Sequence, residues 1–190
     1  MADDVLDAVD EAQDEQSAAV RARREAALAQ VRVLGDPVLR TQALEVSQFD
    51  AQLRDQLDRM REIMDGALGV GLAATQVGSL ARMLVYRIDA DGPVIAVVNP
   101  RLEWHGDETE TAEEGCLSIP GIRVDVERPM HVRVGARDEY GAPITIEASG
   151  LEARVLQHEI DHLDGVLMLD RTSRAERRDA MRAWRERQAG

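Results

Sequence analysis

Two histidines four residues apart in "HEIDH" (158–162) are the side chains of this sequence best suited to binding a metal ion. In an α-helix, residues i and i+4 lie on one face, so His158 and His162 can reach one ion while Glu159 flanks it without binding. The same pentapeptide also occurs by chance on surface helices, and two imidazoles do not complete a coordination sphere. A third ligand is therefore needed.

Cys116 is the favoured third ligand. It lies in the turn-rich segment "EEGCLSIPG", and a thiolate is a strong ligand for zinc or ferrous iron. A metzincin arrangement is excluded, because Met168 stands where its third histidine belongs and no histidine follows His162. A downstream carboxylate from Asp170 or Glu186 stays open as an alternative. Two imidazoles and one thiolate leave a fourth position for water, which is typical of catalytic sites.

The segment "GVGLAATQVG" (69–78) fits the dinucleotide-binding pattern G-x-G-x-x-A, but in the wrong context. That motif requires a strand before its glycines and a helix after them, whereas here a helical pattern precedes and a strand pattern follows. Gly69 and Gly71 would instead let a ligand approach the backbone closely. Gln76 could stabilise an oxyanion through its amide N–H, with tight packing and a surface-exposed Gln76 as the equal alternative.

The elements that must position these groups follow from hydrophobic periodicity. Phe49, Leu53, Leu57, Met60 and Met64 predict a helix that Gly66 ends, and Ser173 with Glu176 predicts a capping box at the start of a last helix. Residues 151–165 are predicted to form the helix that carries the histidines. Short β-branched runs predict strands at 81–88, 94–100, 123–127, 131–138 and 143–148.

These elements indicate an α+β fold, with short and mostly antiparallel strands packed around the central HExxH helix. The length of 190 residues suits one domain with tails. We expect an acidic, helical N-terminal extension at 1–30, a metal-dependent domain at 31–171 and an Arg-rich C-terminal helix at 172–190.

Composition excludes several classes of function. A net charge of −13 and only five aromatic residues argue against binding of DNA or single-stranded nucleic acid. The acidic start is neither a signal nor a transit peptide, and no apolar run is long enough to span a membrane. A single cysteine forbids an internal disulfide, so we expect a cytoplasmic protein.

Taken in order, "GVGLAATQ", "EGCLS" and "HEIDH" resemble the three signature motifs of the peptide deformylase family, and the likeness extends from about residue 31 to 170. The resemblance implies a hydrolase that removes the formyl group from N-terminal formylmethionine of new polypeptides. It implies one divalent metal per chain, Fe²⁺ as the native ion, with Zn²⁺, Ni²⁺ or Co²⁺ as other occupants.

The resemblance also implies roles for particular residues. Metal-bound hydroxide would attack the formyl carbon, with Glu159 as general base and then acid. The metal ligands would be Cys116, His158 and His162, the oxyanion donors Gln76 and the Leu117 N–H, and the substrate wall Gly69, Val70 and Gly71.

Further residues are expected around this site. Leu151 and Val155 could line an apolar methionine pocket, beside which the charged Arg154 must turn outward or alter the mouth. Asp161 is expected to pair with Arg128, or failing that with Arg123, although an exposed acid is an equal alternative.

Two questions stay open at this point. Residues 171–190, which include the C-terminal helix, carry a net charge of +4. The helix could dock on ribosomal RNA, or it could pair with the acidic N-terminal extension. A general HExxH endopeptidase and a non-catalytic, ribosome-associated or metal-sequestering module are the competing functions.

Overall fold

The computed structural model describes residues 17–189, which form five helices, two 3₁₀ turns and seven strands. The first helix, α1, covers residues 17–28. The remaining elements are α2 (Ala51–Ala67), β1 (Gly71–Ala73), β2 (Met83–Tyr86), β3 (Ile95–His105), β4 (Thr109–Gly115), β5 (Arg123–Pro129), β6 (His131–Arg137), β7 (Pro143–Ser149), α3 (Leu151–Leu163), α4 (Met168–Arg171) and α5 (Arg174–Ala189), with 3₁₀ turns at Pro37–Arg40 and Ala74–Val77.

All of the strand pairs are antiparallel. Five strands form one sheet in the order β1-β2-β3-β6-β7, and β4 pairs with β5 in a separate hairpin. Successive side chains of a strand point to opposite faces, and β2 is buried on both: Met83 and Val85 face α2, whereas Leu84 and Tyr86 face α3. The sheet therefore lies between α2 on one side and the histidine helix α3 on the other.

The hairpin β4-β5 has its own hydrophobic core. Val124 and Val126 alternate with exposed residues along β5 and pack against α4 and α5. From α5, Ala180 and Trp184 are only 8% and 7% exposed. The predicted capping contact is present, since Ser173 Oγ accepts from the Glu176 N–H at 3.2 Å. The C-terminal helix is thus packed onto the hairpin that leads into the cysteine segment.

The predicted end of α2 was wrong. Gly66 lies within the helix, which continues to Ala67 and ends at Leu68 in the left-handed conformation (φ 59°). A Cβ on Gly66 would lie 2.8 Å from the Cβ of Ala27. The glycine therefore serves close packing between α1 and α2 rather than termination.

The N-terminal extension is described only in part. Residues 17–28 are helical, as expected, and residues 1–16 lie outside the described part of the chain. Within residues 17–189, no helix is long and apolar enough to cross a membrane.

Candidate active site

Three side chains from two distant segments meet at the predicted metal site. The Sγ of Cys116 and one ring nitrogen each of His158 and His162 all lie within 4.8 Å of one another. The two imidazoles stand on one face of α3, with ring centroids 5.0 Å apart. Cys116 follows β4 in a tight turn, and its Sγ lies 3.2 Å from Nε2 of His162. One thiolate and two imidazoles fit a divalent zinc-like or iron-like ion.

The protonation preferences of this cluster favour a ligand set. Burial raises the pKa of the Cys116 thiol, but the neighbouring His162 and His158 lower it well below its ordinary value. The thiolate, which is the ligand form of cysteine, is therefore favoured. Among the described residues, the Nδ1 of His162 is buried without a hydrogen-bond partner.

Glu114 orients the first histidine. Its Oε2 accepts from Nδ1 of His158 at 2.9 Å, which leaves Nε2 of that ring to face the cysteine. The same carboxylate accepts from Arg128 at 2.6 and 3.0 Å and from Arg154 at 2.9 Å. Burial raises the pKa of Glu114, but His158 and Arg128 outweigh burial and hold it far below its usual range.

The pair predicted next to the site is also present. Nη1 of Arg128 donates to Asp161 at 2.8 Å, and Arg171 donates to the same carboxylate at 2.6 Å. Asp161 is 6% exposed and Arg128 only 4%, so the alternative of an exposed acid is excluded. Arg123 instead pairs with Glu113 at the surface. Arg128 thus links Asp161 on the histidine helix to Glu114 on β4.

Arg154 does not turn outward. It is 9% exposed and donates to Glu114, to the carbonyl of Val126 at 2.8 Å and to the carbonyl of Glu110 at 2.7 Å. The side chain ties α3 to the β4-β5 hairpin and does not line the cavity beside the metal ligands.

Glu159 lies beside the candidate metal ligands and against the glycine segment. It is 4% exposed, and its Oε2 is buried without a hydrogen-bond partner in the described structure. Burial raises its pKa, an effect that His158 and His162 oppose. A Cβ on Gly71 would lie 2.5 Å from Oε1 of Glu159. Only glycine therefore leaves room for the carboxylate at this point.

Gln76 is held with its amide nitrogen towards the cysteine. Its Oε1 accepts from the Ala73 N–H at 2.8 Å, so the NH₂ group is the end that faces the site. Nε2 lies 3.2 Å from Oγ of Ser118 and 3.7 Å from Sγ of Cys116. Gln76 is 1% exposed, which excludes the surface position considered from the sequence.

A cavity of about 550 Å³ opens over these groups. Gly69, Val70, Gly71, Gln76 and Leu117 line it, together with Val155, His158, Glu159 and Cys116. Leu151, expected in the methionine pocket, does not line it and is 56% exposed at the start of α3. Leu151 is the first residue of α3, whereas Val155, one turn further along the helix, lines the cavity.

Several residues around the site were missed from the sequence. Glu114 accepts from His158, and Ser118 accepts from Gln76. Thr75 contacts the end of α3, since its Oγ1 donates to the carbonyl of His162 at 3.1 Å. Glu114 directly precedes "GC", and a buried acid near a ligand histidine is a common orienting partner. That proximity is the only sequence signal that could have indicated it.

An HExxH helix with a cysteine ligand, a buried glutamate and an amide donor, all facing one cavity, defines the class of metal-dependent hydrolases that attack a carbonyl group. The carboxylate alternatives do not join the cluster. Asp170 pairs with Arg40 and with the Leu167 N–H, and Glu186 is exposed on α5.

Comparisons with known proteins identify the family. The model of the polypeptide deformylase family matches residues 28–178. The peptide deformylase of Parafrankia is 46% identical over 156 residues, covering 82% of this chain and 85% of that protein. Peptide deformylase 1 of Corynebacterium efficiens is 49% identical over 153 residues, covering 80% and 90%.

Solved structures agree with this match. A peptide deformylase from Synechococcus elongatus in complex with actinonin is 43% identical, with a TM-score of 0.78, covering 80% of this chain and 85% of that one. One from Legionella pneumophila is 39% identical, with a TM-score of 0.78, covering 84% and 94%. The chain belongs to the polypeptide deformylase family. The predicted family, α+β fold and deformylase activity are thereby confirmed.

Proposed function

We propose that this chain deformylates the N-terminal formylmethionine of new polypeptides with the residues that line this one cavity. The observation that carries the proposal is the approach of Cys116, His158 and His162 to within 4.8 Å beside a buried Glu159. These ligands would hold one divalent ion, Fe²⁺ in the native enzyme, with Zn²⁺, Ni²⁺ or Co²⁺ as alternatives. When bound, such an ion acidifies a water molecule and polarises the formyl carbonyl.

The chain's own groups would then handle the protons and the charge. Glu159 takes a proton from the attacking water and delivers it to the amine nitrogen as the C–N bond breaks, which yields formate and a free N-terminus. The Nε2 of Gln76 and the backbone N–H of Leu117 donate to the formyl oxygen as negative charge develops on it. The unpartnered Oε2 of Glu159 supports this assignment.

The rest of the cavity would bind the substrate. Val155 and Val70 offer apolar surface for the methionine side chain, and Gly69 and Gly71 allow the substrate backbone to approach. We do not retain Leu151 in this role, because it lies outside the cavity. The Asp161–Arg128 pair would hold α3 in place against the β4-β5 hairpin, so that His158 and His162 lie next to Cys116.

Substitution of the thiol tests the ligand set. Protein purified without oxygen should contain one divalent ion and hydrolyse a formyl-Met peptide. Cys116→Ala should lose both, while circular dichroism shows a retained fold. Retention of tight metal binding would favour a carboxylate third ligand, and bound metal without hydrolysis in the wild-type protein would favour a non-catalytic module. Metal analysis of the same sample identifies the ion.

A cytoplasmic location and docking on the ribosome are further parts of the proposal, because the substrate is made there. Arg178 and Arg182 lie exposed on α5, opposite the buried Ala180 and Trp184. The alternative, pairing with acids of residues 1–16, lies outside the described residues. Deleting 172–190 would open the core at Trp184, so charge reversal is the better test. Arg178→Glu with Arg182→Glu should abolish ribosome co-sedimentation and preserve peptide turnover; unchanged co-sedimentation would remove the docking proposal.

A further inference from the structure

Helix α1 contributes to the cavity although it precedes the motifs of the site. Arg24 and Leu28 both line the cavity that Cys116, His158 and Glu159 also line. They are four residues apart and therefore share one face of the helix. Arg24 is exposed and Leu28 is half-buried. The outer part of the cavity thus carries one cationic and one apolar side chain from the N-terminal extension.

This helix is firmly attached where it meets the site. Ala27, 5% exposed, packs on the Cα of Gly66 in α2. The chain that follows is hydrogen-bonded to the segments that contain Gln76 and Cys116: the Arg32 N–H donates to the carbonyl of Gln76 at 2.7 Å, and the Leu34 N–H donates to that of Ser118 at 2.9 Å. The position of Arg24 is therefore fixed relative to the segments that contain Gln76 and Cys116.

The charges facing the cavity are divided by depth. Among the described residues, Glu159 is the one carboxylate that lines it, and it is only 4% exposed, whereas Arg24 and Arg123 are exposed and lie towards the mouth. Arg123 already forms an exposed ion pair with Glu113, with Nη1 and Oε1 3.0 Å apart. The chain as a whole carries a charge of −13, but at physiological salt charges act over only about 8 Å. Local contacts at the mouth therefore decide which substrate side chains are favoured there.

We propose that Arg24 is a specificity-determining residue that binds an acidic side chain in the second, third or fourth residue of the formylated polypeptide, while Leu28 contacts the apolar part of the same segment. The proposal rests on the proposed function, since the substrate must enter with its formyl group at the metal ligands. An extended chain advances about 3.3 Å per residue, which carries the residues after methionine outward to the mouth. Arg24 precedes residues 28–178, which the family model matches, so the preference belongs to this chain's extension.

Paired peptides measure this preference. Formyl-Met peptides of five residues are prepared in pairs, one with Asp and one with Asn at position two, three or four. Asp and Asn differ in charge but little in size, so each pair isolates the effect of the charge. At one of these positions the wild-type enzyme should favour Asp over Asn by about two- to fivefold in kcat/KM, as an exposed ion pair allows. The ratio should fall towards one in Arg24→Gln and, for the wild type, in high salt.

The matched control is Arg21→Gln, on the same helix and with the same loss of charge, since Arg21 is exposed and does not line the cavity. It should keep the wild-type ratio at every position. Equal Asp-to-Asn ratios in wild type and Arg24→Gln at all three positions would overturn the proposal, even with rapid turnover. A wild-type enzyme that hydrolyses none of the formyl-Met peptides would instead overturn the proposed function.

Discussion

Glu114 and His158 form a partly buried hydrogen bond of 2.9 Å between Oε2 and Nδ1. The bond fixes a proton on Nδ1 and so presents the lone pair of Nε2 to the metal position. Because Arg128 and Arg154 also donate to Glu114, the carboxylate cannot rotate without breaking several charge-assisted contacts. The geometry of the candidate ligand set thus depends on Glu114, which lies outside the cluster of Cys116, His158 and His162.

Glu114→Gln should weaken metal binding about 10- to 100-fold, the usual cost of losing a partner that orients a ligand histidine. It should also lower the free energy of unfolding by about 3 kcal/mol, because the buried guanidinium of Arg154 loses its nearest counter-charge and that of Arg128 keeps only Asp161. Metal affinity is measured by competition with a chelator at a temperature where both proteins are folded. Glu113→Gln is the control, since Glu113 is exposed and pairs with Arg123; equal weakening in both variants would contradict the orienting role.

Gly71→Ala should displace the Glu159 carboxylate and reduce kcat by at least about tenfold. The added Cβ would lie 2.5 Å from Oε1 and 2.9 Å from Cδ of Glu159, so the glutamate must move out of position, and misplacement by about 1 Å can cost 100-fold in rate. Metal content should be unchanged. Gly106→Ala is the control, because a Cβ there meets only ordinary contacts at 3.5 Å; wild-type kcat in Gly71→Ala would refute the steric argument.

Glu159→Gln should retain the metal and lose activity by about 10²–10⁴-fold, the range of a general acid–base contribution. Glutamine has nearly the same size, and the Oε2 it replaces has no hydrogen-bond partner in the described structure, so the fold should tolerate the change. Metal analysis and steady-state kinetics on one preparation separate the two effects. Loss of metal together with activity would show that Glu159 supports the ligand set rather than proton transfer.

The candidate ligand set could be proposed from the sequence because the arrangement of its two histidines is local. The i, i+4 spacing places His158 and His162 on one face of α3 whatever the tertiary structure. Cys116 followed from the donor chemistry that two imidazoles leave incomplete. The strands beginning at Arg123, His131 and Pro143 were likewise marked by β-branched alternation and turn residues.

The contacts that orient the site could not be predicted in the same way. Strand β4 has the sequence "TETAEEG", which is rich in residues disfavoured in strands, and it forms because Ala112 and Glu114 pair with Val126 and Val124 of β5. Glu114 is buried against Arg128, Arg154 and His158, which come from other elements of the fold. Similarly, the cavity position of Arg24 depends on the packing of Ala27 on Gly66, which couples segments far apart in the chain.

Asp170 should make the stability of the protein depend on acid pH. Burial raises its pKa, but Arg40, the Leu167 N–H and Arg177 outweigh burial and lower the pKa from the ordinary 3.8. A carboxyl whose pKa is lowered on folding stabilises the native state above its unfolded pKa, and the contribution is lost as the pH falls through the folded value. Asp170→Asn should therefore reduce the free energy of unfolding by about 0.5–1 kcal/mol at pH 7, the size expected for a partly exposed ion pair.

The difference in melting temperature between wild type and Asp170→Asn, followed from pH 7 down to pH 2.5, measures this contribution. It should be constant above about pH 5, where the aspartate is ionised in both the folded and unfolded states. It should shrink below pH 4, as protonation removes the charge that Arg40 and Arg177 contact. Asp179→Asn, at an exposed pair with Arg182, should show a smaller difference at neutral pH. A gap between wild type and Asp170→Asn that persists at pH 2.5 would mean that the aspartate acts through packing and the Leu167 N–H rather than through its charge.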